Sequence, residues 1–350
     1  MGSTFGRFFR MTTFGESHGA AVGVVVDGIP AGLELDSAVI QRDLDRRRPG
    51  TSRYVSQRKE PDRVEILSGV AEGRTLGSPI ALLVRNEDVR SKDYDAIREL
   101  FRPGHADYTY FKKYGIPPQP GGGRASGRET VGRVAAGAIA RALLAPEGVG
   151  FAAYTVGVGD LRAEKRDRGF AEQDPLRCAD PDMARQMADA VDAARSQGDS
   201  IGGIVEVVID GVPAGLGDPV FYKLDAWLAW AMVSIGAVKG VEFGAGFGLV
   251  SMRGSTSNDQ ISADGFFSNN AGGILGGIST GQPIVMRLAV KPTASISMPQ
   301  STIDIHGKER TIEIKGRHDP FLCPRIGPVA EAMAAAVIAD AFLEQKAVKR

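Results

Sequence analysis

The chain has 350 residues, more than one hydrophobic core comfortably serves, so two packed modules are expected. Lys plus Arg and Asp plus Glu each number 42, and this zero net charge excludes a general nucleic-acid or polyanion binder, which is basic overall. The two cysteines, Cys178 and Cys323, are too far apart for a disulfide framework or a cysteine zinc site, and no metal site is expected. Without a signal-like N-terminus or a long apolar run, the sequence reads as cytoplasmic and free of membrane contact.

Gly15-Glu16-Ser17-His18-Gly19 leads into the run Ala20–Val26, whose β-branched residues predict a buried strand. His18 therefore sits in a glycine-flanked turn at a strand edge. Asp36 to Arg48 reads as a helix with Asp36 as its cap. It ends in Arg46-Arg47-Arg48, followed by Arg53 and Arg58, and this cluster is expected to dock a multiply charged anion. Arg63–Val70 and Pro79–Val84 read as short strands. Arg102-Pro103-Gly104-His105 then places a second histidine in a turn.

Gly121-Gly122-Gly123-Arg124-Ala125-Ser126-Gly127-Arg128-Glu129 is the stretch around which the chain is organised. Three glycines remove every Cβ and let the backbone approach a flat or charged group. Ser126 and Glu129 have capping-box spacing and open a helix through Val131, Val134 and Ile139. With Arg124, Arg128 and Arg133, that helix N-terminus is expected to hold an anion. A strand at Phe151–Val158 and a helix from Asp180-Pro181 to Gly198 belong to a stretch, 146–199, read as a peripheral connection.

After residue 200 the pattern returns. Asp27-Gly28-Ile29-Pro30-Ala31-Gly32-Leu33 is matched by Asp210-Gly211-Val212-Pro213-Ala214-Gly215-Leu216. Gly73–Ile80 is matched by Gly277–Ile284, and Gly132-Arg133-Val134-Ala135 by Gly327-Pro328-Val329-Ala330. These matches keep their order, and they imply one domain made of pseudo-repeat halves at about 1–145 and 200–345. Each half mixes hairpin strands with apolar helices, which predicts an α+β fold. Lys291-Pro292-Thr293-Ala294-Ser295, at the end of a strand Ile284–Val290, offers an ammonium and hydroxyls to a phosphate. Gly316-Arg317-His318-Asp319-Pro320 and Arg325 precede a last helix, Val329–Leu343.

Taken together, Gly15–Gly19, Arg46–Arg53, Arg102–Tyr108, Gly121–Gly137, Ser234–Glu242, Asn269–Gly281, Lys291–Ser295 and Gly316–Arg325 closely resemble chorismate synthase, in family order across nearly the whole chain. Phe321-Leu322 occupies a variable stretch. The resemblance implies helices sandwiched between antiparallel β-sheets, a homotetramer, and a lyase converting 5-enolpyruvylshikimate 3-phosphate to chorismate and phosphate. It also implies reduced FMN as cofactor without net redox change. By the same resemblance, His18 protonates the departing phosphate, His105 manages flavin protonation, and Asp319 assists proton removal through flavin N5. Arg124, Ala125, Ser126, Gly236, Ala237, Gly276, Lys291, Pro292, Thr293, Ala294, Ser295 and Arg317 are implied to contact the flavin. Arg47, Arg48, Arg53, Arg102 and Arg128 are implied to meet the substrate anions. A flavin reductase and a nucleic-acid module using Arg42–Arg58 are the competing readings. Chain length speaks against the first and neutral charge against the second.

Overall fold

The computed structural model describes residues 2–56, 58, 60–88, 98–314 and 319–348. Two five-stranded antiparallel sheets enclose a layer of helices. The first sheet contains β1 (Thr4–Phe5), β2 (Arg10–Gly15), β3 (Ala21–Asp27), β4 (Val64–Ile66) and β5 (Ile80–Arg85), in the order β1-β2-β3-β5-β4. The second contains β6 (Gly150–Val158), β7 (Leu161–Arg162), β8 (Gly203–Asp210), β9 (Val238–Phe243) and β10 (Ile284–Val290), in the order β9-β10-β8-β6-β7. The inner strands alternate between buried and more exposed positions or are buried outright, as expected where one face carries the core.

The helices used below are α1 (Ser37–Arg47), α2 (Asp107–Tyr114), α3 (Thr130–Leu144), α4 (Ala184–Ser196), α5 (Leu224–Val233) and α6 (Cys323–Val348). Asp36 caps α1 as its sequence suggests, accepting from Val39 N at 3.0 Å. At the centre, α3 packs on α6 so closely that a Cβ on Gly137 would lie 2.3 Å from that of Ala332. Each of the two helices also faces its own sheet through a glycine. A Cβ on Gly132 would lie 2.9 Å from Gly23 O, and one on Gly327 would lie 3.4 Å from Ala153 O. By length and composition α6 is apolar enough to cross a membrane, but nearly all of its apolar stretch is buried between the sheets.

The sheets share a strand order once their chain orders are compared. In each, two adjacent antiparallel strands are followed by a helix, then an edge strand, then a strand pairing back between them. The partners are β2, β3, α1, β4 and β5 in one half and β6, β8, α5, β9 and β10 in the other. The stretch 146–199 was expected to be peripheral, yet it supplies β6, an inner strand, and the buried residues Cys178, Met187 and Val191. Between β6 and β8 stand β7, a short helix and α4, where β2 and β3 are joined by a short turn, so the two arrangements are spaced differently in the sequence.

Candidate active site

The triple glycine lies between the two turn histidines. Gly121, Gly122 and Gly123 have φ of 64°, 85° and 52°, values that favour glycine. A Cβ on Gly121 would fall 2.0 Å from His18 Nδ1, and one on Gly122 would fall 3.1 Å from His105 Cε1 and 3.5 Å from an Arg102 guanidinium nitrogen. The loop thus brings together two turns that are distant in sequence. Ser17 N donates to Gly123 O at 3.4 Å, and Gly19 N closes the histidine turn onto Glu16 O at 3.0 Å. Asn86 clamps the same turn through its amide, donating to Glu16 O at 3.0 Å and Gly19 O at 2.8 Å.

The capping box forms only in part. Ser126 Oγ accepts from Arg128 N at 3.3 Å, but a short 3₁₀ turn, Gly127–Glu129, intervenes before α3. Glu129 turns away to accept from Thr13 Oγ1 at 2.9 Å and Arg133 Nε at 2.8 Å. The arginines of this loop brace the fold. Arg124 donates to Thr13 Oγ1 at 2.7 Å and Gly15 O at 3.2 Å, and Arg133 reaches Ser234 Oγ at 2.6 Å.

The run Arg46–Arg58 does not form one anion dock. Successive helical residues point about 100° apart, so Arg46 and Arg47 find different partners, and Arg48, Arg53 and Arg58 lie beyond the helix. Arg46 enters the helical layer to meet buried Glu331 at 2.5 Å. Arg47 is fully buried, 2.6 Å from Asp62, and donates to Gly127 O and Thr130 Oγ1. Arg48 lies 3.8 Å from Asp45, and Arg53 pairs with Asp192 at 2.7 Å while covering the Tyr54 ring. Arg58 reaches the histidine turn, donating to Ser17 Oγ at 3.3 Å and to Glu60.

Arg128 joins this group from the other side. It is buried against Asp62, lies 3.6 Å from Glu60, and donates to Asn86 Oδ1 at 2.8 Å. Burial alone would raise the pKa of Asp62, but Arg47 and Arg128 outweigh it and hold the carboxyl below its ordinary value. Arg325 approaches from α6: one of its guanidinium nitrogens would lie 3.9 Å from a Cβ on Gly127, and another is 2.9 Å from Asp319. Among the described residues, Arg47, Arg58, Arg128 and Arg325 thus face Glu60, Asp62 and Asp319, four guanidinium groups against three carboxylates.

Arg102 is also buried, forked onto Asp107 with Nε–Oδ2 at 2.6 Å and a second contact to Oδ1 at 2.8 Å. This fork holds the His105 turn on the first residue of α2. Lys291 Nζ donates to Gly104 O at 2.8 Å, so the second half touches the same turn. Burial, with Lys239 nearby, pushes the Lys291 pKa down. Thr293 Oγ1 donates to Asp319 O at 2.6 Å, and Asp319 Oδ1 accepts from Ser56 N at 2.6 Å. Pro292, Ala294 and half-buried Lys291 flank these contacts, and Ser295 is buried.

Ala237 has φ of 75°, a strained value for a residue with a Cβ, and its carbonyl accepts from Lys291 N at 2.9 Å. A side chain on neighbouring Gly236 would meet nothing within 4 Å. Gly276 lies elsewhere. It sits in a hairpin turn before β10, and Lys291 follows that strand, so about 20 Å of strand separates them within one chain. Arg317 lies outside the described residues. Sequence reading missed Glu60, Asp62, Asn86 and Asp107, because a buried carboxylate or amide announces itself only through its partners.

A family model described as chorismate synthase matches residues 9–343. A chorismate synthase of Chloroflexus aurantiacus is 58% identical over 99% of this chain and 96% of its own length. One from Nitratidesulfovibrio vulgaris is 56% identical over 99% and 98%. A crystal structure titled as chorismate synthase superposes with a TM-score of 0.76 at 33% identity, covering 97% of this chain and 93% of the other. With its sheets, its helical layer and its glycine-separated histidines in that setting, the chain belongs to the chorismate synthase family, a family of lyases.

Proposed function

We propose that this enzyme catalyses the 1,4-elimination of phosphate from 5-enolpyruvylshikimate 3-phosphate to give chorismate, with reduced FMN bound and no net redox change. The observation that carries the reading is the triple-glycine loop with His18 against one glycine and His105 against the next. In the elimination the C–O bond to phosphate breaks, a ring C–H proton leaves, and a conjugated diene forms. His18 donates the proton that the departing phosphate needs. The guanidinium groups of Arg47, Arg58, Arg128 and Arg325 lower the energy of the departing anion. Arg47 and Arg128 act from behind the site as fixed charges, because Asp62 holds both. Arg102 fixes the His105 turn in the same way.

The residues present fit a flavin mononucleotide. Lys291, Lys239 and the hydroxyls of the 293–295 segment suit its phosphate, and Gly236, where a side chain would meet nothing within 4 Å, keeps backbone open to a flat ring. Ala125, Ser126 and Ala237 would line that ring. Reduced flavin, when bound, supplies electron density to the reacting allylic system. His105 would then carry an exchangeable proton beside it, and Asp319, fixed by Ser56 N and Arg325, would serve as the proton acceptor. The family's homotetramer is proposed for this chain as well, and exposed Phe221, Phe247 and Val250 provide apolar surface for it. A cytoplasmic setting completes the reading.

The test is anaerobic incubation with enolpyruvylshikimate phosphate and dithionite-reduced FMN, following released phosphate and the absorbance of the diene. Both signals should rise together with reduced FMN and stay flat with oxidised FMN. Phosphate release without flavin, or NAD(P)H oxidation without phosphate release, would refute the proposal.

A further inference from the structure

His105 is held by a partner that the reading above does not use. Its Nδ1 lies 2.8 Å from Asp107 Oδ1, and Asp107 is 5% exposed. The other carboxylate oxygen takes Arg102 Nε at 2.6 Å and Arg102 N at 3.2 Å. Burial alone would raise the pKa of Asp107, but the hydrogen bonds from Arg102 and His105 hold it well below the usual carboxylate range. An anionic oxygen at 2.8 Å from an imidazole nitrogen requires a hydrogen between them, since two lone pairs at that distance repel. Arg102 also lies 3.1 Å from Nδ1, but a nitrogen already carrying hydrogen cannot accept, so that guanidinium group donates to Oδ1 at 2.8 Å. The opposite side of the ring faces the glycine loop, where a Cβ on Gly122 would lie 3.2 Å from Nε2.

We propose that Asp107 is a positioning residue: it fixes His105 in the Nδ1–H tautomer, so that Nε2 exchanges protons at the glycine loop, while Arg102 holds the carboxylate in place. The inference rests on the reading of His105 as a proton carrier in this reaction. A misplaced tautomer would offer the loop an N–H where a lone pair is needed, and the ring would be free to turn. The arrangement follows the general logic in which a buried carboxylate orients a histidine without itself taking the proton.

The experiment is nitrogen-15 NMR of histidine-labelled protein, in which the variant His105→Gln identifies the His105 signals among the four histidines. In the wild-type protein, neutral His105 should show a protonated Nδ1 and an unprotonated Nε2. Asp107→Asn should shift the ring to the Nε2–H form or a mixture, and should lower kcat by about 10²-fold with KM little changed. Arg102→Lys, which keeps the carboxylate, should retain the Nδ1–H pattern. That measurement and the wild-type spectrum keep the test decisive if Asp107→Asn fails to fold. An Nε2–H tautomer in the wild-type protein, or an unchanged Nδ1–H pattern in Asp107→Asn, overturns the assignment to Asp107. Normal turnover by His105→Gln would instead refute the role of His105 in the reaction, and the tautomer result would stand apart from it.

Discussion

At the hairpin end of the first sheet, Thr75 N donates to Leu33 O at 2.9 Å, Gly32 N donates to Thr75 O at 2.8 Å, and Leu76 N donates to Gly69 O at 2.9 Å. At the hairpin end of the second, Ser279 N donates to Leu216 O at 2.8 Å, Gly215 N to Ser279 O at 2.9 Å, and Thr280 N to Gly273 O at 2.9 Å. Among the described residues, the opposite ends of the sheets carry different groups. One carries His18, the triple glycine and a set of buried arginines; the other carries Lys291–Ser295 and Asp319. The difference teaches where each kind of constraint acts. Closing a sheet with a hairpin requires one backbone solution, and the internal duplication that we propose has kept it. On the proposed reaction, the chemistry needs unlike groups on the two sides of a site, and the duplication proposed here would have let those ends diverge.

The sharpest way to break this comparison is at Gly121. Its φ of 64° disfavours any side chain, and a Cβ would overlap the His18 ring. Gly121→Ala is expected to lower turnover at least as far as removing His18, by about 10²–10⁴-fold. A Gly32→Ala variant at the hairpin end, where a Cβ meets nothing within 4 Å, carries a similar φ of 87° but should lose stability and keep its rate. Single-turnover kinetics together with thermal unfolding of both variants decides the matter. Equal rate losses would erase the distinction between the ends.

The two histidines sharpen it further. His18→Ala should depress turnover by about 10²–10⁴-fold while substrate still binds, since the reading proposed above assigns anion recognition to the arginines. His105→Ala should slow the reaction and also change the absorbance of bound reduced FMN against pH. Wild-type rates for both variants would sink the catalytic assignment while leaving the family intact.

Much of this division is legible in the sequence, for reasons that can be traced to particular residues. The repeated turn at 27–33 and 210–216 is visible because glycine and proline are needed at fixed places. The glycine loop is visible because three positive φ values in a row exclude other residues. Charge partners are not legible. Arg46 and Arg47 are adjacent in sequence, yet one meets Glu331 on α6 and the other Asp62 before β4. Nor does a spacing rule reveal that Glu129 leaves its capping position for Thr13 and Arg133, since both partners exist only in the folded chain.

Asp62 provides a stability test of the chemical end. Asp62→Asn leaves the Arg47 and Arg128 guanidinium groups buried with less counter-charge, an expected loss of about 3–5 kcal/mol. The sign with pH follows from the depressed pKa of Asp62 in the folded protein. Its contribution is present above the unfolded value of about 4 and is lost as pH falls through the folded one. Wild-type stability should therefore decline in acid more steeply than that of the variant. Parallel stability–pH curves from urea titration would contradict the ion-pair account.

The smallest effects are expected at the hairpin ends, and they test the likeness itself. Thr75 Oγ1 donates to Pro30 O at 2.7 Å and accepts from Leu33 N at 3.0 Å; Ser279 Oγ donates to Pro213 O at 2.7 Å and accepts from Leu216 N at 2.8 Å. Both side chains are buried, so deleting either hydroxyl leaves a carbonyl and an N–H short of a partner. Thr75→Val and Ser279→Ala should each cost about 1–3 kcal/mol, with the same sign and similar size. Thr75→Val puts a methyl where the hydroxyl was, whereas Ser279→Ala deletes the atom, so a small excess cost on the serine side is the packing difference between the two changes. Neither residue approaches the histidines, which lie at the other ends of the strands, so kcat should stay at the wild-type value. Urea unfolding and steady-state rates of the two variants are the measurements. If one variant is neutral and the other costly, the two hairpins are alike in geometry alone, and the duplicated turn no longer explains why both halves keep a hydroxyl there.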